Sequence, residues 1–134
     1  MTAVLAEVDL GALVTVRGPR PAEAAGRLVL ALGPDEWLVA GAGEDDFPDA
    51  DAAVDVSAAY RCLELAGPGA PAVLAQGCSV EVGVGESAAT LLARAGVVLH
   101  RPEEERFRIL VRPSFAPYLR AWLEEALTSL RASR

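Results

Sequence analysis

The pattern of apolar and polar residues is most regular near the C-terminal end of the chain. Phe107, Ile109 and Val111 alternate with arginines, which is the period-two pattern of a half-buried β-strand. We expect Ser114 to cap a helix that follows this strand and Pro117 to lie in the first turn of that helix. The apolar residues at helical spacing, all on one predicted face, are Phe115, Tyr118, Leu119, Trp122, Leu123, Ala126, Leu127 and Leu130.

Shorter apolar runs, separated by turns that contain glycine and proline, predict further strands upstream. A helical turn is expected at Ala22–Ala25, and a short helix at Ala72–Gln76 should end before Gly77. Because strands joined by tight turns pair antiparallel, the pattern predicts an α+β fold with an antiparallel sheet or sheets and helices packed on one face. The predicted strands are Leu13–Arg17, Arg27–Leu32, Trp37–Ala40, Arg61–Leu65, Ser87–Ala93 and Val97–Arg101.

The length of 134 residues favours one domain, residues 1–134. We expect residues 1–10 to form a loosely attached lead and residues 41–53 to form an exposed acidic connection between two halves. Clustered carboxylates can bind Ca²⁺, but the spacing here lacks the central glycine and the distal glutamate of an EF-hand loop. A solvated loop is the favoured interpretation of these acids, which are Glu44, Asp45, Asp46, Asp49 and Asp51.

Composition excludes several functions. The net charge of −7 argues against nucleic acid and anionic membranes as partners, because both attract basic surfaces. All twelve basic residues are arginine, and the absence of lysine excludes a Schiff-base enzyme and a P-loop. The first residues lack a basic signal-peptide region, and no apolar run reaches about 18 residues. We therefore expect a soluble, cytoplasmic protein.

Few residues are candidates for chemistry. Cys62 falls in an apolar strand and is expected in the core, whereas Cys78 lies in a turn and should be more exposed. His100, the only histidine, is expected at an exposed strand position, and neither a GxSxG elbow nor a cysteine-rich catalytic loop accompanies it. We therefore predict no catalytic residue and no metal-binding residue in this chain.

The passage from Gly67 to Ala72 superficially matches a dinucleotide-binding fingerprint, with glycines at the first and third positions. Pro68 and Pro71 remove backbone N–H groups that a pyrophosphate would need. The chain that follows predicts hairpins rather than the parallel crossover of a nucleotide-binding fold. A turn between a strand and a helix is the favoured interpretation, and no cofactor-binding residue is predicted.

Four stretches together carry a family resemblance: LGPDEWLV (residues 32–39), DVSAAYRCLELAGPGAPAVLAQGCSVEV (55–82), TLLARAGVVLHR (90–101) and FRILVRPSFAPYLRAWLEEA (107–126). In this order and spacing they resemble the gamma subunit of heterotetrameric sarcosine oxidase. The resemblance implies a fold related to the folate-binding domain of the glycine-cleavage aminomethyltransferase. This chain looks short for the family, and Pro113 stands where the family tends to have arginine.

The resemblance also implies a function: a non-catalytic accessory subunit of a heteromeric flavoenzyme that oxidatively demethylates N-methyl amino acids. FAD, FMN, NAD and tetrahydrofolate would then belong to larger flavin- and folate-binding partner subunits, and this chain would hold no cofactor. Two alternatives stay open. One is a stand-alone folate-related protein that binds a small molecule, and the other is an α+β interaction domain that self-associates, for example as a homodimer.

The aromatic face of the long helix is the candidate partner interface. Its residues are Phe115, Tyr118 and Trp122. We expect these side chains chiefly to close the core, and we expect any contact with a partner to lie near the start of the helix, at residues 113–118.

Overall fold

The computed structural model describes residues 2–24 and 26–132. Helix α1 spans Ala70–Ala75, helix α2 spans Ala116–Ala132, and a 3₁₀ turn covers Glu44–Asp46. Neither helix in these residues is long and apolar enough to cross a membrane. The strands are β1 (Val4–Val8), β2 (Leu13–Arg17), β3 (Leu28–Gly33), β4 (Glu36–Ala40), β5 (Ala52–Asp55), β6 (Arg61–Ala66), β7 (Ser87–Leu92), β8 (Ala95–Glu103) and β9 (Arg106–Val111).

The strands form two antiparallel sheets. One has five strands in the order β1-β6-β9-β8-β7, and the other has four in the order β3-β4-β2-β5. Both helices cover one face of the five-stranded sheet, which we call the helix face. The four-stranded sheet lies against the opposite face, which we call the inter-sheet face. The predicted α+β class, with antiparallel sheets and helices packed on one face, is confirmed, while the likeness to the aminomethyltransferase domain stays a prediction.

Three apolar clusters hold these layers together. The largest lies between the helices and the helix face, and its fully buried members include Leu63, Leu65, Ile109, Leu119 and Leu123. A second fills the space between the sheets and includes Leu30, Leu38, Cys62, Val98 and Leu110. The third lies on the outer face of the four-stranded sheet, where Phe47 packs against a cluster that includes Val14 and Val39. Burial of this kind supplies most of the driving force for folding.

Most of the predicted elements are confirmed. Strand β2 has the predicted bounds, and β3 and β4 form the predicted hairpin, with Leu30 opposite Leu38. Helix α1 begins at Ala70, two residues before the predicted start, and Pro71 lies in its first turn. The helical turn expected at Ala22–Ala25 is wrong for residues 22–24, because Ala24 N donates to Ala22 O two residues back, which is too close for a helical turn. Ala25 itself lies outside the described residues.

The predicted cap of the long helix is wrong. Helix α2 begins at Ala116, with Pro117 in its first turn as expected. The amides of Phe115 and Ala116 donate to the Arg112 carbonyl oxygen, at 2.9 and 3.1 Å. The chain therefore turns directly from β9 into the helix, and this backbone acceptor takes the place expected for the Ser114 hydroxyl.

The prediction of a loose lead over residues 1–10 is also wrong. Strand β1 pairs along its whole length with β6, with Val4 opposite Ala66 and Val8 opposite Cys62. Glu7 accepts a hydrogen bond of 3.0 Å from Arg61 Nε and lies 3.7 Å from Arg120 on helix α2. This edge strand was missed because its side chains are half-buried or exposed on both faces, so no clean alternation shows in the sequence.

The acidic connection at residues 41–53 is partly confirmed. Its carboxylate residues are exposed, as expected of a solvated loop. Its last two residues, however, begin strand β5, which pairs with β2. Ala42 is buried and Phe47 packs on the outer cluster, so the segment covers one face of the four-stranded sheet as well as connecting two halves.

Candidate functional site

The three aromatic residues of the predicted interface lie in different surroundings. Trp122 packs against the helix-face cluster, and its ring lies so close to Gly77 that a side chain there would approach it to 2.6 Å. Phe115 and Tyr118, by contrast, are 52% and 50% exposed. The expectation that all three close the core is therefore wrong for Phe115 and Tyr118.

The geometry of α2 explains the difference. The helix packs on the sheet through Ala116, Leu119, Leu123, Ala126 and Leu127, which are buried. Phe115 precedes the first helical residue, and Tyr118 lies beside the buried row rather than within it. The predicted apolar stripe of eight residues is wider than the part of the helix that the sheet covers.

Tyr118 joins the start of α2 to the hairpin of β7 and β8. Its hydroxyl donates to the Ala93 carbonyl oxygen at 2.7 Å. Leu92 pairs with Ala95, so the turn consists of Ala93 and Arg94, whose φ values are 51° and 71°. Positive φ is unfavourable for residues other than glycine, and two-residue hairpins with this geometry normally use Gly, Asn or Asp. The bond from Tyr118 therefore helps to hold a strained turn.

An exposed leucine lies two residues before this turn. Leu91 is 62% exposed, whereas the next residue, Leu92, is fully buried. Adjacent side chains of a strand point to opposite faces, so one of these two leucines had to leave the helix face. The pair was visible in the sequence and was the one signal that could have identified Leu91 as a surface residue.

Leu91 and Phe115 line one groove of about 720 Å³, together with Tyr60, Arg112 and residues of the four-stranded sheet such as Leu32. A smaller depression of about 210 Å³ shares Leu32 with the groove and extends it to Val54, which is 53% exposed. We call the exposed side chains of Leu91, Phe115 and Tyr118, together with this groove, the Phe115 surface. Contiguous apolar surface of this kind marks sites of association.

The groove also carries charge. The Arg112 guanidinium carbon lies 4.5 Å from the centre of the Tyr60 ring, a cation–π contact. Glu36, which also lines the groove, is paired with Arg17 at 2.6 Å. The carboxylate in the groove is thus neutralised within the chain, and Arg112 contributes a positive charge.

A row of polar side chains crosses the inter-sheet face. Glu64, Arg108 and His100 lie directly opposite one another on β6, β9 and β8. Glu64 forms an ion pair with Arg106 and lies 3.7 Å from Arg108 Nε, which is too far for a hydrogen bond. His100 Nδ1 and Arg108 Nε are buried and have no hydrogen-bond partner within the described residues.

The prediction that His100 is exposed is wrong, because His100 is buried, with only 5% of its surface exposed. A strand pattern shows which residues share a face, but the cover over His100 comes from another part of the chain. Burial holds the pKa of His100 below its usual value, and the positive charge of Arg108 acts in the same direction, while Glu23 opposes them. The imidazole is therefore neutral near pH 7.

The surroundings of Cys62 and of the glycine-rich passage indicate structural roles. Cys62 is buried, as predicted, and burial raises the pKa of its thiol to about 11, so it is a poor nucleophile. Cys78 is more exposed than Cys62, also as predicted. Gly67 N and Gly69 N donate to the carbonyls of Glu105 and Thr2, and so these amides are not free to bind a phosphate. Among residues 2–24 and 26–132, no three side chains of His, Cys, Asp or Glu are grouped to hold a metal ion.

Comparison with known proteins assigns the family. The model of the sarcosine oxidase, gamma subunit family matches residues 22–129 of this chain. The chain belongs to that family. All four stretches that carry the resemblance fall within the matched residues, and the resemblance is confirmed.

Individual relatives support the same family assignment. The sarcosine oxidase subunit gamma of an Arthrobacter species is 37% identical over 119 residues, which is 78% of this chain and 59% of the relative. The subunit gamma of Corynebacterium sp. (strain U-96) is 34% identical over 125 residues, which is 83% of this chain and 61% of the relative. The chain thus spans about three fifths of the length of the curated relatives that it matches.

A solved structure gives the same result for the fold. A chain of the heterotetrameric sarcosine oxidase from Corynebacterium sp. U-96, in complex with pyrrole 2-carboxylate, matches with a TM-score of 0.82 and 27% identity. The match covers 95% of this chain and 84% of that chain. A member of the gamma subunit family therefore shares its fold with a chain of a four-subunit oxidase.

Proposed function

We propose that this chain is a non-catalytic accessory subunit of a sarcosine-oxidase-like heteromeric flavoenzyme that oxidatively demethylates N-methyl amino acids. In this proposal the partners are larger flavin- and folate-binding subunits, which hold FAD, FMN, NAD and tetrahydrofolate. The observation that carries the proposal is the match over almost the whole chain to a chain of a heterotetrameric sarcosine oxidase.

The chemistry of the chain is in keeping with an accessory role. The buried His100 is a candidate base, but its neighbours in the polar row are Arg108 and Ser87, and Ser87 already accepts a hydrogen bond of 2.9 Å from Ala31 N. The Cys62 thiol lies in the core with a raised pKa. Neither group has the arrangement of nucleophile and oriented base that covalent catalysis needs.

The alternatives have less support. The named relatives are oxidase subunits, which favours assembly over a stand-alone folate-related protein. Self-association as a homodimer would also use exposed apolar surface, but no observation in the described residues favours it over a larger partner.

The proposal is tested by purifying the tagged chain from its native host. We expect it to bring down flavin-containing subunits in a fixed ratio, and we expect the purified complex to consume oxygen when sarcosine or a related N-methyl amino acid is added. The isolated chain should show no such activity. Recovery of the chain alone or as a homodimer, with no flavoprotein at low salt, would overturn the proposal.

A further inference from the structure

The exposed large hydrophobic residues are not spread evenly. Leu91, Phe115 and Tyr118 lie together, because Tyr118 bonds to the turn that follows Leu91 and because Leu91 and Phe115 line the same groove. Val54 lies in the depression that continues the groove. The remaining exposed large hydrophobics in the described residues are Val4, Val80 and Val84, which lie on β1 and in the loop between α1 and β7. Among residues 2–24 and 26–132, the Phe115 surface is therefore the largest grouping of exposed large hydrophobic residues.

The uneven distribution of exposed hydrophobic residues is one asymmetry, and the arginines near the Phe115 surface show a second. Arg94 and Arg112 are the two arginines in the described residues whose guanidinium groups neither hydrogen-bond nor ion-pair with an oxygen of the chain. Every other described arginine contacts a carboxylate or a carbonyl oxygen. Arg112 lines the groove, and Arg94 belongs to the turn that Tyr118 holds.

This local charge is opposite to that of the molecule. The chain carries a net charge of −7, yet the charged groups of the groove are Arg112, with no carboxylate beside it, and Glu36, which Arg17 neutralises. At short range the positive charge of Arg112 favours contact with carboxylates, while the net charge of −7 disfavours the approach of a second copy of the same chain.

From these two asymmetries we propose that the Phe115 surface binds a segment of a larger oxidase subunit that inserts apolar side chains into the groove and offers carboxylates to Arg112 and Arg94. This inference rests on the proposed function and specifies its interface. The lining residues Phe115 and Leu91 remain half exposed or more, which suits covering by a protein surface better than enclosure of a small molecule.

The first test replaces the apolar part of the surface. Phe115→Asp and Leu91→Asp should each weaken binding to the purified larger subunits by about 30-fold or more, as expected for the centre of an interface. Phe115→Ala is a milder variant in case the aspartate disturbs the start of α2. Val84→Asp is the matched control, because Val84 is 57% exposed but lines neither the groove of the Phe115 surface nor the depression that extends it. Circular dichroism and urea unfolding check that each variant is folded.

The second test replaces the charge. Arg112→Ala should weaken binding by about tenfold, and it should reduce the loss of affinity that added salt causes for the wild type. Arg20→Ala is the matched control, because Arg20 also lies over an aromatic ring, at 5.0 Å from the centre of Trp37, but does not line the groove. Equal salt dependence in Arg112→Ala and the wild type would contradict the charge part of the inference.

The outcomes separate this inference from the proposed function. If the wild-type chain does not bind the flavin-containing subunits, both are overturned. If the wild type binds and the Phe115, Leu91 and Arg112 variants bind equally well, the accessory function stands and this interface is wrong. If the same variants instead abolish a homodimer and leave the flavoprotein complex intact, the surface joins copies of this chain, and the inference is overturned.

Discussion

The two faces of the five-stranded sheet differ, and strand β9 shows both. Its residues Phe107, Ile109 and Val111 point to the helix face and are buried in a purely apolar cluster under α1 and α2. Its residues Arg106, Arg108 and Leu110 point to the inter-sheet face, where Leu110 is buried between the sheets and the arginines meet Glu64. The helix face is therefore closed mainly by apolar packing, with charged contacts such as that between Glu7 and Arg120 at its rim, whereas the inter-sheet face joins apolar packing to a row of charges.

This difference has a consequence for stability and for association. The packing under the helices is close and mainly apolar, so removing volume there costs the most. The charged row adds less net stability, since ion pairs must offset the cost of removing charge from water. The exposed residues of the Phe115 surface, Leu91, Phe115 and Tyr118, are covered by neither helix nor sheet.

The largest expected effect is on the helix face. Ile109→Ala should lower the free energy of unfolding by about 2–5 kcal/mol, because it leaves a cavity in a cluster that has little room to collapse. Val4→Ala, at a position that is 68% exposed, should change it by about 0.5 kcal/mol or less. Urea unfolding of both variants measures the difference. A loss below about 1 kcal/mol for Ile109→Ala would show that the helix face is not closely packed.

A smaller effect is expected in the charged row. Glu64→Gln should cost about 1–3 kcal/mol in the free energy of unfolding, because Arg106 and the partly buried Arg108 both lose their carboxylate partner. The control is Glu103→Gln. Glu103 also pairs with Arg106, but its side chain is 68% exposed, so the loss should be about 0.5 kcal/mol. Equal losses in the two variants would mean that the row is no better shielded from water than the surface.

The sequence correctly predicted the strands, the helix and the apolar faces that follow from the periodicity of apolar residues. The alternation of Phe107, Ile109 and Val111 correctly placed the strand and its apolar face, and the spacing from Leu119 to Leu127 correctly placed the buried side of α2. Both patterns are local, since the backbone geometry alone decides which side chains share a face. The same holds for the β3–β4 hairpin, which a short turn determines.

The sequence did not predict burial or exposure that depends on how distant parts of the chain pack over a residue. His100 is buried although it lies next to an arginine, and Phe115 is exposed although it lies on an apolar stripe. For His100 the deciding element is distant in the chain, because it is the layer packed over the inter-sheet face. Phe115 is exposed because it precedes the first residue of α2, where the helical spacing no longer fixes the face of a side chain. Strand β1 was missed because its side chains show no clean alternation, and its partner β6 begins more than fifty residues later.

The buried histidine offers a test of the inter-sheet face by pH. Burial and Arg108 lower the folded-state pKa of His100, so the unfolded chain takes up a proton at a higher pH than the folded chain does. Stability from this group is present above the unfolded-state pKa of about 6.5 and is lost as pH falls from there toward the folded-state pKa. The urea concentration at which half of the wild-type protein is unfolded should therefore be lower at pH 5.5 than at pH 7.5.

His100→Gln should reduce that fall, because glutamine does not titrate. Glu7 and Asp55, whose pKa values are lowered by hydrogen bonds from Arg61 and from Ser57, lose their contribution at lower pH, as the pH falls from the ordinary carboxylate pKa of about 4 toward their lowered folded-state values. The two contributions are therefore separable by pH. A variant that loses as much stability as the wild type between pH 7.5 and pH 5.5 would mean that His100 is not the titrating group.

The smallest effect on stability is expected at the Phe115 surface. If Phe115 closed the core, as its place on the apolar stripe suggested, Phe115→Ala would cost about 3–5 kcal/mol. Because its side chain is 52% exposed and precedes the first residue of α2, we expect a change of about 0.5 kcal/mol or less in the isolated chain. Urea unfolding of this variant beside Leu119→Ala, one turn further along the same helix, makes the comparison direct. A large loss at both positions would mean that the start of α2 belongs to the core, and a large loss at Leu119 alone would mean that the chain keeps Phe115 at its surface without using it for its own stability.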